Sequence, residues 1–269
     1  MTRRSLFSQP QNVLLMCGEP DYPSVFGKLP SEGGILMGII GSIDPCLGYI
    51  SEQKPDLSML FDINPYVTDY LNFRLGAIGE QKTGAEYWEN LIALLRDPSK
   101  ENFARCIKRD ETYCDELLEI IKHGGRFHLW DEQRVDNEIR CGWASPQRYK
   151  RITALTGQKK LRIFQEDICS KGFDIAYGAA DKSGLPINLV HLSNVLRYTL
   201  PEQRKGLYRN LEKGIEREIL GRNCRIIEYD GFKTELNRPE VYLSMLGDAI
   251  EFGRNFVDPT LQKPPHTCQ

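Results

Sequence analysis

The stretch from Ile35 to Asn64 constrains the fold more than any other part of the chain. Gly33-Gly34 leads into Ile35-Leu36-Met37-Gly38-Ile39-Ile40, a continuous apolar run of the length of a strand buried on both faces. The run ends at Gly41-Ser42-Ile43, after which Asp44 reads as an N-cap and Pro45 as the first helical residue. That helix continues to Gln53 and stops before Pro55. Leu57-Ser58-Met59-Leu60-Phe61 makes a second strand, closed by Asp62-Ile63-Asn64-Pro65. Strand, turn, helix and strand within about 30 residues form a βαβ unit, and strands joined in this way lie parallel.

From Pro65 to about Tyr149 the pattern is helical and polar. Ala85 to Leu95 and Thr112 to Lys122 carry apolar residues three and four apart, and the second run stops at Gly124-Gly125. This is too long for one crossover, so residues 66–145 are predicted to be a helical insertion or lid. Ser145-Pro146 opens a helix to Leu155, and Leu161-Arg162-Ile163-Phe164-Gln165 is a strand ending at Glu166-Asp167. The next strand predicted is Ile187 to Leu192, ending at Ser193-Asn194. Thr199-x-x-Glu202 has the spacing of a capping box, and a helix from there is expected to reach Leu220. A strand over Cys224–Tyr229 and a helix over Pro239–Phe256 complete the pattern, with no final antiparallel hairpin visible. The tail 258–269 contains Pro259, Pro264 and Pro265 and is expected to be loose. The order predicts a single α/β domain over 1–269, doubly wound and Rossmann-like. Its sheet is mostly parallel, with the insertion between the second and third core strands.

Composition narrows the function classes. Lys and Arg number 35 against 37 Asp and Glu, a net charge of −2, so the basic footprint of a nucleic-acid binder is missing from the chain as a whole. The eight cysteines contain no CxxC pair, and several lie in apolar runs. They read as reduced, mostly buried thiols of a cytosol-like compartment, not as a zinc site or a disulfide scaffold. No apolar h-region follows Arg3-Arg4, so no signal peptide is expected. The longest apolar run, Ile35 to Ile40, falls far short of the ~20 residues needed to cross a bilayer. A cytoplasmic protein with no membrane contact and no strong nucleic-acid signal is expected; a small-molecule substrate is expected because the helical insertion could close over the site. The oligomeric state stays open.

In open parallel sheets ligands bind beyond the carboxyl ends of the strands. The residues there are Gly38, Gly41, Ser42 and Asp44, then Asp62, Ile63 and Asn64, then Asp167, and finally Ser193 and Asn194. Asp62 follows Gly38 by 24 positions, near the ~20 that separate a glycine turn from the acidic residue that accepts hydrogen bonds from ribose hydroxyls. The pyrophosphate of a dinucleotide wants bare N–H groups at a helix N-terminus. Asp44 would stand at that terminus, with Pro45 removing a donor, so the turn suits the positive sulfonium and ammonium of S-adenosylmethionine better than NAD.

The segments Gly38-Ile39-Ile40-Gly41-Ser42, Leu60-Phe61-Asp62-Ile63-Asn64, Gln165-Glu166-Asp167-Ile168 and Val190-His191-Leu192-Ser193-Asn194-Val195 resemble the first four motifs of class I S-adenosylmethionine-dependent methyltransferases. More narrowly, the chain is similar to an uncharacterised bacterial group of methyltransferase-like proteins. That group shares a Ser-Asn-Val strand end and a Trp-x-x-x-x-x-Tyr opening to the helix before the third strand, matched here by Trp143 and Tyr149. The resemblance implies that the first turn holds the methionine part, Asp62 the ribose and Asp167 the adenine, with Ile63 and Ile168 flanking its faces. It places Ser193 and Asn194 toward the donor methyl or the acceptor. Asn194, Tyr198 and Glu19 are the candidates for orienting or deprotonating the acceptor. Glu19 enters through the resemblance alone.

Each of these residues also has a plainer reading. Asp62 can cap the turn before Pro65, Asp44 can be a simple N-cap, and Ser193-Asn194 can be a turn bonded to its own backbone. Asp167 can be a surface residue after an edge strand. Trp143 and Tyr149 can pack the insertion, His191 can be a satisfied core histidine, and Cys46 a buried thiol. His123 and His128, five apart around a glycine pair, read as loop residues and not as metal ligands. Two further functions stay open: a non-catalytic nucleoside-binding or partner-binding module on the same scaffold, and an NAD-dependent reductase.

Overall fold

The computed structural model describes residues 21–30, 32–40, 43–96, 111–124, 132–193, 199, 201–229 and 234–251. Its centre is a six-stranded sheet of β1 (Ile35–Ile39), β2 (Leu57–Asp62), β3 (Leu161–Gln165), β4 (Ile187–Ser193), β5 (Leu220–Tyr229) and β6 (Thr234–Asn237), in the order β3-β2-β1-β4-β5-β6. The first five strands run parallel and β6 runs antiparallel to β5. The order reverses between β1 and β4. This is the mostly parallel α/β sheet predicted from the βαβ pattern, and it is compatible with double winding.

Alternating strand residues feed two cores. Leu36, Leu60 and Leu189 face the first, where they meet α1 (Ile43–Gln53), α2 (Pro65–Glu80), α3 (Gly84–Arg96), α4 (Glu111–Gly124) and α6 (Pro146–Gly157). Ile35, Met37, Met59, Val190 and Ile226 face the second, against α7 (Phe173–Ser183), α8 (Pro201–Glu216) and α9 (Pro239–Glu251). A two-residue side-chain period covered on both faces explains why β1 and β4 are continuous apolar runs. A 3-10 helix, Tyr22–Lys28, caps the first core, and α5 (Glu132–Arg140) joins α3.

The insertion is mostly helical in its described part, and it is an integral part of the first core. Tyr70, Phe73, Ile78, Tyr87, Trp88, Leu91, Leu117 and Trp143 are all buried there. Trp143 and Tyr149 serve packing: Trp143 is fully buried, and the Tyr149 hydroxyl donates to the Ile78 carbonyl at 2.9 Å.

Four boundaries differ from the sequence reading. Asp44 is not the N-cap of α1, because the helix already includes Ile43 and Asp44 lies inside its first turn. The helix opened near Thr199 starts at Pro201 and ends at Glu216, four residues before Leu220. Glu218 turns into the left-handed region at φ 54°, and Ile219 then accepts a sheet hydrogen bond from Ile187 N, so Leu220 begins a strand. A helix, α7, lies between β3 and β4, where the sequence reading had none. Its Phe173, Ala176, Tyr177 and Ala180 have helical spacing, and two strands of the same direction need such a crossover. Finally, an antiparallel strand does follow β5. It is only four residues, Thr-Glu-Leu-Asn, with no apolar alternation to announce it. It is held by pairing with β5 and by Asp21, whose carboxylate accepts from Thr234 N at 2.9 Å and from Thr234 Oγ1 at 2.8 Å. The tail 258–269 and the end of the last predicted helix lie outside the described residues. Among the described residues no helix is long and apolar enough to cross a membrane.

Candidate functional site

The carboxyl ends of β3, β2, β1 and β4 share one edge of the sheet, and they carry most of the residues singled out from the sequence. Ile39 pairs with Phe61, and Asp62 pairs with Gln165, so the β2 end stands between those of β1 and β3.

Asp62 ends β2 and is partly buried. Its Oδ1 accepts from Asn64 N at 2.8 Å. Burial pushes its carboxyl up to about 7, against the pull of the Asn64 and Ile63 backbone amides. Asn64 is the N-cap of α2: its Oδ1 accepts from Tyr66 N at 3.0 Å, and Pro65 takes the first helical position. Its Nδ2 is buried and has no hydrogen-bond partner among the described residues. Buried amide donors are ordinarily satisfied, so this one marks a place for an acceptor oxygen. Ile63, between them, is partly exposed.

Asp167 caps the short π-helix Ile168–Gly172. Its Oδ1 accepts from Cys169 N at 2.8 Å, and its Oδ2 from Gln203 Nε2 at 3.3 Å. Both oxygens therefore have partners within the chain. Ile168 is buried in the second core, while Phe164 stacks on Phe61 with ring centroids 5.0 Å apart. Ser193, at the end of β4, is buried with φ 50°, a conformation uncommon outside glycine and found where surrounding structure enforces it.

Two glycine-turn residues are explained differently by the structure. Gly38 faces His191 across the β1–β4 ladder, and a Cβ there would come 3.1 Å from His191 Cβ, a tight approach that by itself favours glycine. Asp44 does not face a ligand as a free charge. Arg74 Nη2 donates to its Oδ1 at 2.7 Å and Trp143 Nε1 donates to the same oxygen at 3.0 Å, with Arg74 and Asp44 both buried. The paired carboxylate presents no net charge to the turn, so its predicted bias against a pyrophosphate does not follow. Gly41, Ser42, Asn194, Tyr198 and Glu19 lie outside the described residues.

Arg74 is the residue that sequence reasoning missed. Its guanidinium lies 5.4–6.0 Å from the ring centroids of Tyr70, Tyr87, Trp88 and Trp143, and its Nε donates to the Tyr87 hydroxyl at 2.7 Å. Burial alone would lower its pKa, and the Asp44 charge reverses that and holds it well above the ordinary value. The signal was present in outline, since a charge stands on the apolar stripe of α2 with Tyr70 four residues before and Ile78 four after. Cys46 and His191, read as a buried thiol and a core histidine, are in contact: Sγ and Nδ1 are 3.2 Å apart, both side chains buried.

A family model described as a domain of unknown function (DUF7790) matches residues 24–213. That is well over half of the chain. The chain belongs to the DUF7790 family. The matched region takes in β1 to β4 and nearly all of α8, so the strand-end residues described above fall within the family's domain. No curated protein matches the chain.

Proposed function

We propose that this DUF7790 protein is an S-adenosylmethionine-dependent methyltransferase acting on a small acceptor. The reading rests on Asp62: a half-buried carboxylate at the carboxyl end of β2, beside the β1 end, with one oxygen tied to its own turn. A carboxylate so held accepts ribose hydroxyls, and the buried Asn64 Nδ2 beside it offers a donor to a ligand oxygen. The residues present therefore fit a nucleoside. The antiparallel β6 beside β5 supports a methyltransferase over a dinucleotide-binding sheet, whose sixth strand is parallel in the usual winding. Bound S-adenosylmethionine would supply an electrophilic methyl group for in-line displacement. The chain's part is to orient the acceptor and exclude water, which suits a helical insertion anchored at Asp44 through Arg74 and Trp143. Asn194, Tyr198 and Glu19 are the proposed acceptor-facing residues, and the setting proposed is cytoplasmic.

A second reading, a scaffold that works through partners, draws support from Asp167, whose two oxygens cap the π-helix and meet Gln203. Titration calorimetry with S-adenosylmethionine and S-adenosylhomocysteine, with NADH as control, separates the two. Micromolar binding that vanishes in Asp62→Ala supports the enzyme. No binding to the well-folded wild type sinks it in favour of the scaffold, and tight NADH binding would favour a reductase.

A further inference from the structure

Cys46 and His191 meet where the strand order reverses, and the nucleoside reading gives them no task. Cys46 lies in the first turn of α1 and His191 in the interior of β4, with the Tyr49 ring 5.0 Å from the imidazole in an edge-on contact. The thiol donates to the Ile39 carbonyl at 2.8 Å. A thiol has one proton; assigning it to the shorter contact, Ile39 O, makes the contact to His191 at 3.2 Å run the other way, from Nδ1–H to sulfur. The next amide, Ile40 N, donates to Phe61 O at 2.9 Å, and Phe61 directly precedes Asp62. A continuous chain thus passes from β4 through α1 and the end of β1 to the end of β2.

We infer that His191 and Cys46 are positioning residues: a relay, His191 to Cys46 to Ile39, that locks the end of β1 to the start of α1 and so fixes the β1 end in register with Asp62. The relay requires the Nδ1–H form of His191, whereas a histidine without this partner is free to carry its proton on Nε2. It is consistent with Gly38, because the His191 Cβ from which the imidazole reaches Cys46 would come within 3.1 Å of a Cβ across the ladder.

Imidazole 15N–1H correlation spectra of the wild type read the tautomer directly. A proton on Nδ1 that moves to Nε2 in Cys46→Ala is the expected result, and a proton on Nε2 alone in the wild type overturns the relay. Amide hydrogen exchange at Ile40 tests the lock without any ligand. Cys46→Ala should speed it by about fivefold, the equilibrium factor of one ordinary net hydrogen bond, while Cys46→Ser, which still donates and accepts, stays near wild type. Unchanged exchange in Cys46→Ala overturns the inference. The consequence for ligand binding rests on the nucleoside reading: S-adenosylhomocysteine affinity should fall by a similar factor in Cys46→Ala and recover in Cys46→Ser. An affinity that Cys46→Ala leaves intact removes the positioning role. A wild type that binds no nucleoside sinks that reading alone, leaving the relay to be judged on tautomer and exchange.

Discussion

The Arg74 guanidinium donates to Asp44 Oδ1 at 2.7 Å, and each side chain is 1% exposed. The pair joins the third turn of α2 to the first turn of α1, and so ties the helical insertion to the parallel sheet. Breaking such a pair leaves one charge buried alone, which costs about 3–5 kcal/mol, whereas replacing both partners by apolar groups of similar volume is often close to neutral. Arg74→Met and Asp44→Leu should each lower the urea midpoint strongly, and the double variant should recover most of the loss. Single variants within about 1 kcal/mol of wild type would show that the pair is not isolated from solvent.

Asp62 should make stability depend on pH and, on the proposed nucleoside reading, ligand affinity depend on pH in the opposite sense. Its carboxyl is raised to about 7 in the folded protein, against ~3.9 in an unfolded chain. Between those values the folded state holds a proton that the unfolded state has released. Its contribution to stability is therefore fully present below pH ~4 and is lost as pH rises through 7. Asp62→Asn should flatten the stability profile over that window in denaturant titrations. A ligand hydroxyl needs the ionised acceptor, so nucleoside affinity should rise about tenfold from pH 6 to pH 8 and release a proton on binding. A profile of equal slope in Asp62→Asn would assign the titration to another group.

Of the five cysteines in the described residues, Cys46, Cys114, Cys169 and Cys224 are buried and Cys141 is exposed. Burial pushes the Cys169 and Cys224 thiols well above the ordinary range, so neither forms the reactive thiolate at neutral pH. Maleimide labelling of native protein, mapped by mass spectrometry, should modify Cys141 first among these five. Labelling of Cys169 or Cys224 at a comparable rate would show that the second core opens readily.

Two glycines should respond oppositely to alanine. At Gly178, in α7, a Cβ meets nothing within 4 Å, so Gly178→Ala should stabilise by up to ~1 kcal/mol through helix propensity. At Gly84, the first residue of α3, the added Cβ would overlap the Ala144 carbonyl, a backbone group that cannot step aside. Gly84→Ala should cost about 1–3 kcal/mol as an overpacking change. Thermal melts of the two variants give the sign of each, and a stabilised Gly84→Ala would contradict the packing of the start of α3 on the turn at Ala144.

Much of the architecture was legible because it is written in short-range pattern. Ile35–Ile40, the helix up to Gln53 and Leu57–Phe61 announce a βαβ unit by apolar run length and by proline position. Ser145-Pro146 marks a helix start by residue type alone. The candidate site was legible to the same depth: the strand-end location of Asp62, Asn64 and Asp167 follows from strand direction. The task of each side chain was not. Asp44 looked like a free cap because its partner, Arg74, is 30 residues away. The strand Thr234–Asn237 carries no pattern of its own and exists through β5 and Asp21.

What the sequence determined by itself is therefore the parallel βαβ frame, the kind of most of its elements and the edge of the sheet that carries the candidate residues, since these depend on periodicity and chain direction; α7 and β6 emerged only in the fold. Tertiary structure alone decided which polar groups at that edge stay available. Asp44 is neutralised by Arg74 and Asp167 is engaged by Cys169 and Gln203, while Asn64 Nδ2 is left without a partner among the described residues. Hydrogen bonds and ion pairs join residues far apart in the chain, and no local pattern encodes which distant group will arrive within 3 Å.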